Sequence, residues 1–144
     1  MIAVDTNILV YAHREESPWH EPAKAALTGL IAQGTTWAVP WPCLHEFLAV
    51  VTNPRILRPP SSWEDGFLFL DGLEQTGLVR WVGEGPGYWT IMRALGGASK
   101  CAGGQVHDAR IAAICRFHGI AQLWSADRDF SRFPEVVVRN PLVA

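Results

Sequence analysis

Short apolar runs alternate with longer segments of helical periodicity along the whole chain, and no hairpin turn joins any two of the runs. Ile2 to Val4, Thr36 to Val39, Leu78 to Val82, Ala121 to Trp124 and Val136 to Val138 read as strands. Strands separated by helices need crossover connections, which are right-handed βαβ units. The pattern therefore predicts an α/β fold on a parallel sheet of about four to five strands. A length of 144 residues suits one domain spanning 1–144 with a real core, and would leave two domains cramped.

The intervening segments carry helix start and stop chemistry. Thr6 to about His13 reads as a first helix. Ser17-Pro18 offers an N-cap and an N1 proline for a second, whose apolar positions Ala23, Ala26, Leu27, Leu30 and Ile31 run up to Gly34. A third spans Trp41 to Val51, with Leu44, Phe47, Leu48 and Val51 on one face, and stops at Asn53-Pro54. Ser61-Ser62-Trp63-Glu64 has the form of a capping box ahead of a fourth, on which Trp63, Phe67, Leu70 and Leu73 form the apolar face. Tyr88 to about Leu95 reads as helical, and Val106 to Cys115 as a last helix closed by Gly119. Arg55 to Pro60 reads as a loop. Gly96 to Gly104 reads as a flexible connector without the lysine of a phosphate-binding loop.

The acids fall at particular places in this pattern. Asp5 and Asp127 follow apolar strands, while Glu46 and Asp108 sit near the starts of helices. In a parallel sheet, the carboxyl ends of strands and the amino ends of the following helices share one edge. Taken singly, Asp5 could be a ligand or a helix cap, and Glu46 a solvated residue favourable to the helix dipole. Taken together, four carboxylates can converge at one point, where they would repel one another unless cations lie among them. Hard oxygen ligands without Cys or His select Mg²⁺ or Mn²⁺, and such a site supports phosphodiester hydrolysis.

Composition sets the outer limits. An apolar fraction of 49% excludes disorder, and no apolar run reaches the length of a membrane span. Met1 lies directly against the first strand, so no signal peptide is expected. Cys43, Cys101 and Cys115 are odd in number and form no C-x-x-C pair, which fits a reducing cytoplasm better than a disulfide or zinc scaffold. A net charge of −2 argues against a simple DNA-binding module, but less against a nuclease whose metal ions reverse the local sign. Ten of the twelve basic residues are Arg, which suits forked phosphate contacts but is equally what high-GC codon bias yields.

The quoted residues also match a family. Val4-Asp5-Thr6-Asn7, Glu46 in the third helix, His107-Asp108-Ala109 opening a helix, and Ser125-Ala126-Asp127-Arg128-Asp129-Phe130 resemble the PIN-domain nucleases. Asp127 to Pro134, with Arg139-Asn140-Pro141-Leu142, resembles the VapC toxins of bacterial type II toxin–antitoxin systems. The resemblance covers essentially the whole chain in motif order. It implies a PIN-like (Rossmann-like) three-layer α/β/α fold and endoribonuclease activity on RNA. It also implies homodimerisation and inhibition by a cognate antitoxin encoded alongside. Asp5, Glu46, Asp108 and Asp127 match the quartet that holds Mg²⁺ or Mn²⁺. Thr6 and Asn7 match the polar pair beside the first acid, and Ser125 the hydroxyl before the last. Asp129 matches an acid variably involved in the family, and here it reads rather as a cap for the next turn.

Other residues have two readings each. Arg110 and Arg128 lie near the quartet and are candidates for RNA phosphate contacts, with Arg14 a weaker one; the rival role for Arg110 is an ion pair with a nearby acid. Trp37, Trp63, Trp81 and Trp124 read as core, whereas Trp19, Trp41 and Trp89 start elements and could be exposed. Exposed tryptophans would suit an antitoxin helix or RNA stacking. Two other functional classes compete. A Rossmann-like phosphatase would want an Asp where Asn7 stands, and a non-catalytic PIN module would be expected to have lost one of the four acids.

Overall fold

The computed structural model describes residues 1–143. Five strands, β1 (Ile2–Val4), β2 (Trp37–Pro40), β3 (Val79–Val82), β4 (Gln122–Trp124) and β5 (Val137–Arg139), form one sheet in the order β3-β2-β1-β4-β5. Every pairing is parallel. The helices are α1 (Thr6–His13), α2 (His20–Ala32), α3 (Trp41–Val51), α4 (Trp63–Glu74), α5 (Tyr88–Ser99) and α6 (Gln105–Phe117), with a 3₁₀ turn over Arg128–Arg132. They flank the sheet in a three-layer α/β/α arrangement: α1 packs on α2 and α3, α3 on α4, and α5 on α6. The parallel α/β expectation holds.

This topology decides where a site can form. The chain builds β1, β2 and β3 outward to one side, then returns to place β4 and β5 on the other side of β1. The order reverses between β1 and β4, which leaves a crevice at their carboxyl ends. β1 is buried from Ala3 to Val4, and the Asp5 N–H donates to the Trp124 carbonyl at 2.9 Å, so the acid is held at the lip of that crevice.

Four local expectations need correction. First, α2 begins at His20 rather than at Ser17-Pro18. Ser17 instead closes a turn, its hydroxyl accepting from Trp19 N–H and its carbonyl from His20 N–H. Second, the capping box is shifted by one: Ser62 is the N-cap and Asp65 its reciprocal partner. The Ser61 hydroxyl is already committed to His13 and Arg14.

Third, α4 buries Gly66, Leu70 and Leu73, and Trp63 is 61% exposed rather than in the core. The cause is the close approach of α4 to α3, since a Cβ on Gly66 would lie 2.9 Å from Leu48 Cδ2. That fit turns Trp63, Phe67 and Leu68 outward. Trp37 and Trp124 are buried, Trp81 is half-buried, and Trp19, Trp41 and Trp89 are exposed.

Fourth, helix continues through Gly96 to Ser99, so the irregular connector is only residues 100–104. The Gly96 carbonyl accepts from Lys100 N–H and the Ser99 hydroxyl, and Lys100 leaves the helix in the left-handed region at φ 55°. Among the described residues the cysteines are unpaired, and no helix is long and apolar enough to cross a membrane.

Candidate functional site

The crevice between β1 and β4 gathers the acids. Asp5 sits at the N-cap position of α1, yet its side chain makes no capping hydrogen bond. It is 5% exposed and both carboxylate oxygens are engaged inward. Oδ2 accepts from the Ser125 hydroxyl at 2.7 Å, and Oδ1 from the Cys43 thiol at 3.4 Å. The choice between cap and site residue thus goes against the cap.

Ser125 has a second task. Its oxygen accepts from Asp127 N–H at 2.9 Å, so one hydroxyl ties the acid after β1 to the acid after β4. Asn7 stitches the same two segments, its Oδ1 accepting from Ala126 N–H at 3.2 Å. Thr6 lies within reach of the Cys43 carbonyl (3.4 Å) and of Glu46 Oε2 (3.3 Å). It therefore orients Glu46 as well as flanking Asp5.

Asp108 in the first turn of α6, Asp127 and Asp129 each offer a carboxylate oxygen, and the three oxygens lie within 4.8 Å of one another. This corrects the reading of Asp129 as a cap. The capping is done by Asp127, whose Oδ1 accepts from Asp129 N–H at 2.8 Å. The Asp129 carboxylate is left free to face Asp108.

Electrostatics follow from this crowding. Burial raises the Asp5 pKa above the usual carboxylate value, and the Ser125 hydrogen bond only partly opposes it. Glu46 is raised by burial and then by the Asp5 charge. Asp108 is raised by burial and then by Asp127, Asp129 and Glu46, with Arg132 pulling the other way. Among the described residues, no ion pair neutralises any of these acids. An all-oxygen donor set with mutual repulsion and, among the described residues, no ion-pair partner fits a hard divalent cation.

The basic candidates are placed differently. Arg110 is taken up by Glu84, with Nε and Nη2 both 2.8 Å from Oε2. Arg14 donates to Glu16, to the Ser61 hydroxyl at 3.1 Å and to the Pro59 carbonyl at 2.7 Å. Arg128 is exposed at the start of the 3₁₀ turn.

Cys43 was not foreseen as a site residue. One sign of it was available, since Cys43 and Glu46 are three apart on α3 and so share a face. A cleft of about 500 Å³ opens beside Asp5, Glu46, Asp108 and Asp127.

Comparisons with known proteins bear on the family and the fold. The PIN domain family profile matches residues 2–136. Ribonuclease VapC48 of Mycobacterium tuberculosis is 35% identical over 137 residues, 95% of this chain and 94% of that protein. VapC ribonuclease Mb2897 of Mycobacterium bovis is 32% identical over 142 residues, covering 99% and 96%. Among solved structures, VapBC2 from Rickettsia felis, bound to a promoter DNA fragment, superposes with a TM-score of 0.70 at 20% identity, covering 97% of this chain and 98% of that one. Mycobacterium tuberculosis VapC20, a toxin that cleaves the sarcin–ricin loop, superposes with a TM-score of 0.64 at 20% identity, covering 95% and 99%. At that identity the structural likeness speaks for the fold.

Proposed function

The chain belongs to the PIN-domain family, and on that premise we propose that it is a divalent-metal-dependent endoribonuclease toxin of the VapC kind. One observation carries the reading. Carboxylates of Asp108, Asp127 and Asp129 crowd together in the crevice that buried Asp5 and exposed Glu46 also line, with no ion pair to offset them among the described residues. Asp5, Glu46, Asp108 and Asp127 are the residues assigned to catalysis and metal binding, and Asp129 joins them. Mg²⁺, or Mn²⁺, is the cation such oxygens select.

When bound, the cation supplies charge stabilisation at a phosphoryl group and acidifies water at neutral pH. The protein's own contribution is orientation. Ser125 and Cys43 fix the two oxygens of Asp5, so that this carboxylate cannot turn away. Thr6 steers Glu46 toward the same point, and Asn7 holds the segment carrying Ala126 and Asp127 against α1. Asp108 and Asp129 approach from α6 and the 3₁₀ turn. A phosphodiester in the cleft would meet carboxylates on one side and the open mouth on the other. Among the described residues Arg128, exposed and next in sequence to Asp127, makes no side-chain hydrogen bond or ion pair and is a cationic candidate for a neighbouring phosphate, with Arg110 available only if it leaves Glu84.

The names of the VapC ribonuclease relatives support RNA as the substrate, and the VapBC neighbour supports a cognate antitoxin as the partner, which in this proposal is the inhibitor. The proposal is completed by a homodimer of single-domain chains, working in the cytoplasm. Pulse expression tests the reading. Expression alone should stop growth and yield new RNA ends, and co-expression of the adjacent gene should restore growth. Normal growth without the partner would sink the toxin reading, and the absence of new RNA ends would sink the nuclease reading.

A further inference from the structure

The turn after β3 is fixed more tightly than a connection requires. It reads Gly83-Glu84-Gly85-Pro86-Gly87, and the glycine on each side of Glu84 is pressed against an aromatic ring. A Cβ on Gly83 would lie 2.7 Å from Trp41 Cδ1 at the start of α3, and one on Gly85 would lie 3.2 Å from Phe117 Cζ at the end of α6. The Gly83 carbonyl also accepts from His118 Nε2 at 2.7 Å. Glu84 is thus presented from an anchored turn, and what it meets is Arg110 on α6. Arg110 Nε donates to Glu84 Oε2 at 2.8 Å, and Nη2 lies at the same distance from the same oxygen. One carboxylate oxygen serves both nitrogens, so the pair is not a fork, and among the described residues Arg110 Nη1 has no hydrogen-bond partner.

Arg110 also lines a cleft of about 650 Å³ between α3 and α6. Glu46, Asp108 and Ile111 belong to this cleft and to the crevice at the acids, so the two are continuous. Pro42 and His45 from α3, and Gly104, His107 and Arg110 from α6, complete the lining. Arg110 is its one permanent positive charge. His45 is committed through Nδ1 to the Trp41 carbonyl at 2.9 Å, whereas His107 is three residues before Arg110 and shares its helix face. Glu46 and Asp108 repel an anion there, which the cation of the proposed function would offset.

We propose that the cleft between α3 and α6 is a subsite for a backbone phosphate of the RNA strand, and that Glu84 occupies its guanidinium until that phosphate displaces it. The inference rests on the ribonuclease reading and adds which group grips the strand beside the acids and what that group must first release. Glu84 is an internal stand-in for phosphate, an oxyanion set on Arg110. Its hold is weak: the two side chains are 43% and 35% exposed, and an ion pair so open to solvent contributes little. A phosphodiester offers two oxygens to the planar fork where Glu84 supplies one, so the exchange favours phosphate. Because Trp41, Phe117 and His118 pin the turn, it cannot follow the guanidinium toward the cleft, and the pair must part rather than move together. Glu84 therefore sets a threshold, which a strand passes only when a phosphate falls at this cleft.

Fluorescence anisotropy with a labelled eight-nucleotide oligouridylate tests this across a salt series, with Ca²⁺ replacing Mg²⁺ to suppress hydrolysis. Arg110→Gln should flatten the slope of log affinity against log salt by about 0.7, the contribution of one single-strand phosphate contact. Glu84→Gln should tighten binding on the order of threefold, because the guanidinium no longer has to be released. Made in the Arg110→Gln background, the same change should alter binding by less than about 1.5-fold at about 0.1 M salt, where screening limits the reach of a lone charge. Should Arg110→Gln fail to fold, Arg110→Lys takes its place, with weaker binding than wild type and a smaller gain from Glu84→Gln. An unaltered slope in Arg110→Gln, wild-type affinity in Arg110→Lys, or no binding by the wild-type protein would overturn the subsite. An equal gain from Glu84→Gln with and without Arg110 would overturn the competition, since Glu84 would then act only as a repelling charge. Cleavage of total RNA by the wild-type protein in Mg²⁺ reports separately on the ribonuclease reading, so cleavage without these shifts sinks the subsite alone.

Discussion

Ser125→Ala removes one oxygen atom from the point where the two halves of the sheet meet. In the native protein that hydroxyl donates to Asp5 Oδ2 at 2.7 Å and accepts from Asp127 N–H at 2.9 Å, and Ser125 is 2% exposed. The substitution leaves a buried carboxylate without its shortest hydrogen bond and a backbone N–H without an acceptor. A hydrogen bond to a charged group contributes about 1.5–3 kcal/mol, and an orphaned buried donor costs about 1–3 kcal/mol. Protonation of Asp5 would recover part of this, because its pKa, already raised by burial, rises further once the Ser125 donor is gone. The expected net loss is about 3 kcal/mol, or a melting temperature lower by roughly 10 °C for a chain of this size. Urea denaturation at pH 7 measures the loss directly. The variant should also need more Mg²⁺ for a given thermal stabilisation, because Asp5 is then less often ionised and less firmly aimed. A loss below about 1 kcal/mol with unchanged Mg²⁺ dependence would refute the role given to Ser125, since it would leave neither orphaned group with a measurable cost.

Three further outcomes follow. Asp5, Glu46 and Asp108 bind protons more tightly in the fold than a free carboxyl does, so each stabilises the fold when protonated and costs stability once ionised. The melting temperature of metal-free protein should therefore fall as pH rises from about 4 toward neutrality, less steeply in Asp108→Asn, and Mg²⁺ should raise it more at pH 7 than at pH 5. Gly119 closes α6 at φ +68°, so Gly119→Ala should cost about 1–2 kcal/mol by urea denaturation; a neutral result would mean the helix end can relax. Arg110→Ala breaks a partly exposed pair with Glu84 and should change stability by under about 1 kcal/mol, while weakening RNA binding at low salt only if Arg110 leaves that pair to meet phosphate.

Strand-end acids were legible because the apolar runs before them are too short to be anything else. Asp5 and Asp127 could be placed at one sheet edge, and Glu46 and Asp108 near the starts of helices, by pattern alone; Asp108 is in the first turn of α6, and Glu46 lies one turn further into α3. The order β3-β2-β1-β4-β5, which puts the ends of β1 and β4 side by side, follows from crossover rules only once the family resemblance is added. What sequence could not supply was rotation about elements. Trp63 lies on the apolar stripe of α4, but the fit of Gly66 against Leu48 turns it to solvent. Asp129 has the form of a cap, yet Asp127 takes the Asp129 N–H and frees its carboxylate for the cluster. Glycine propensity suggested a connector at Gly96, where the helix in fact continues to Ser99. In each case a tertiary contact or a competing hydrogen bond overrode the local preference.

In the proposed function the gathered carboxylates hold a divalent cation for RNA hydrolysis. Incubating purified total RNA with wild-type protein, Asp5→Asn and Asp127→Asn, each in Mg²⁺ and in chelator, tests it most directly. Defined new RNA ends are expected with the wild-type protein in Mg²⁺ alone, and none with either folded variant. Undiminished cleavage by Asp5→Asn or Asp127→Asn, or by the wild-type protein in chelator, would contradict it.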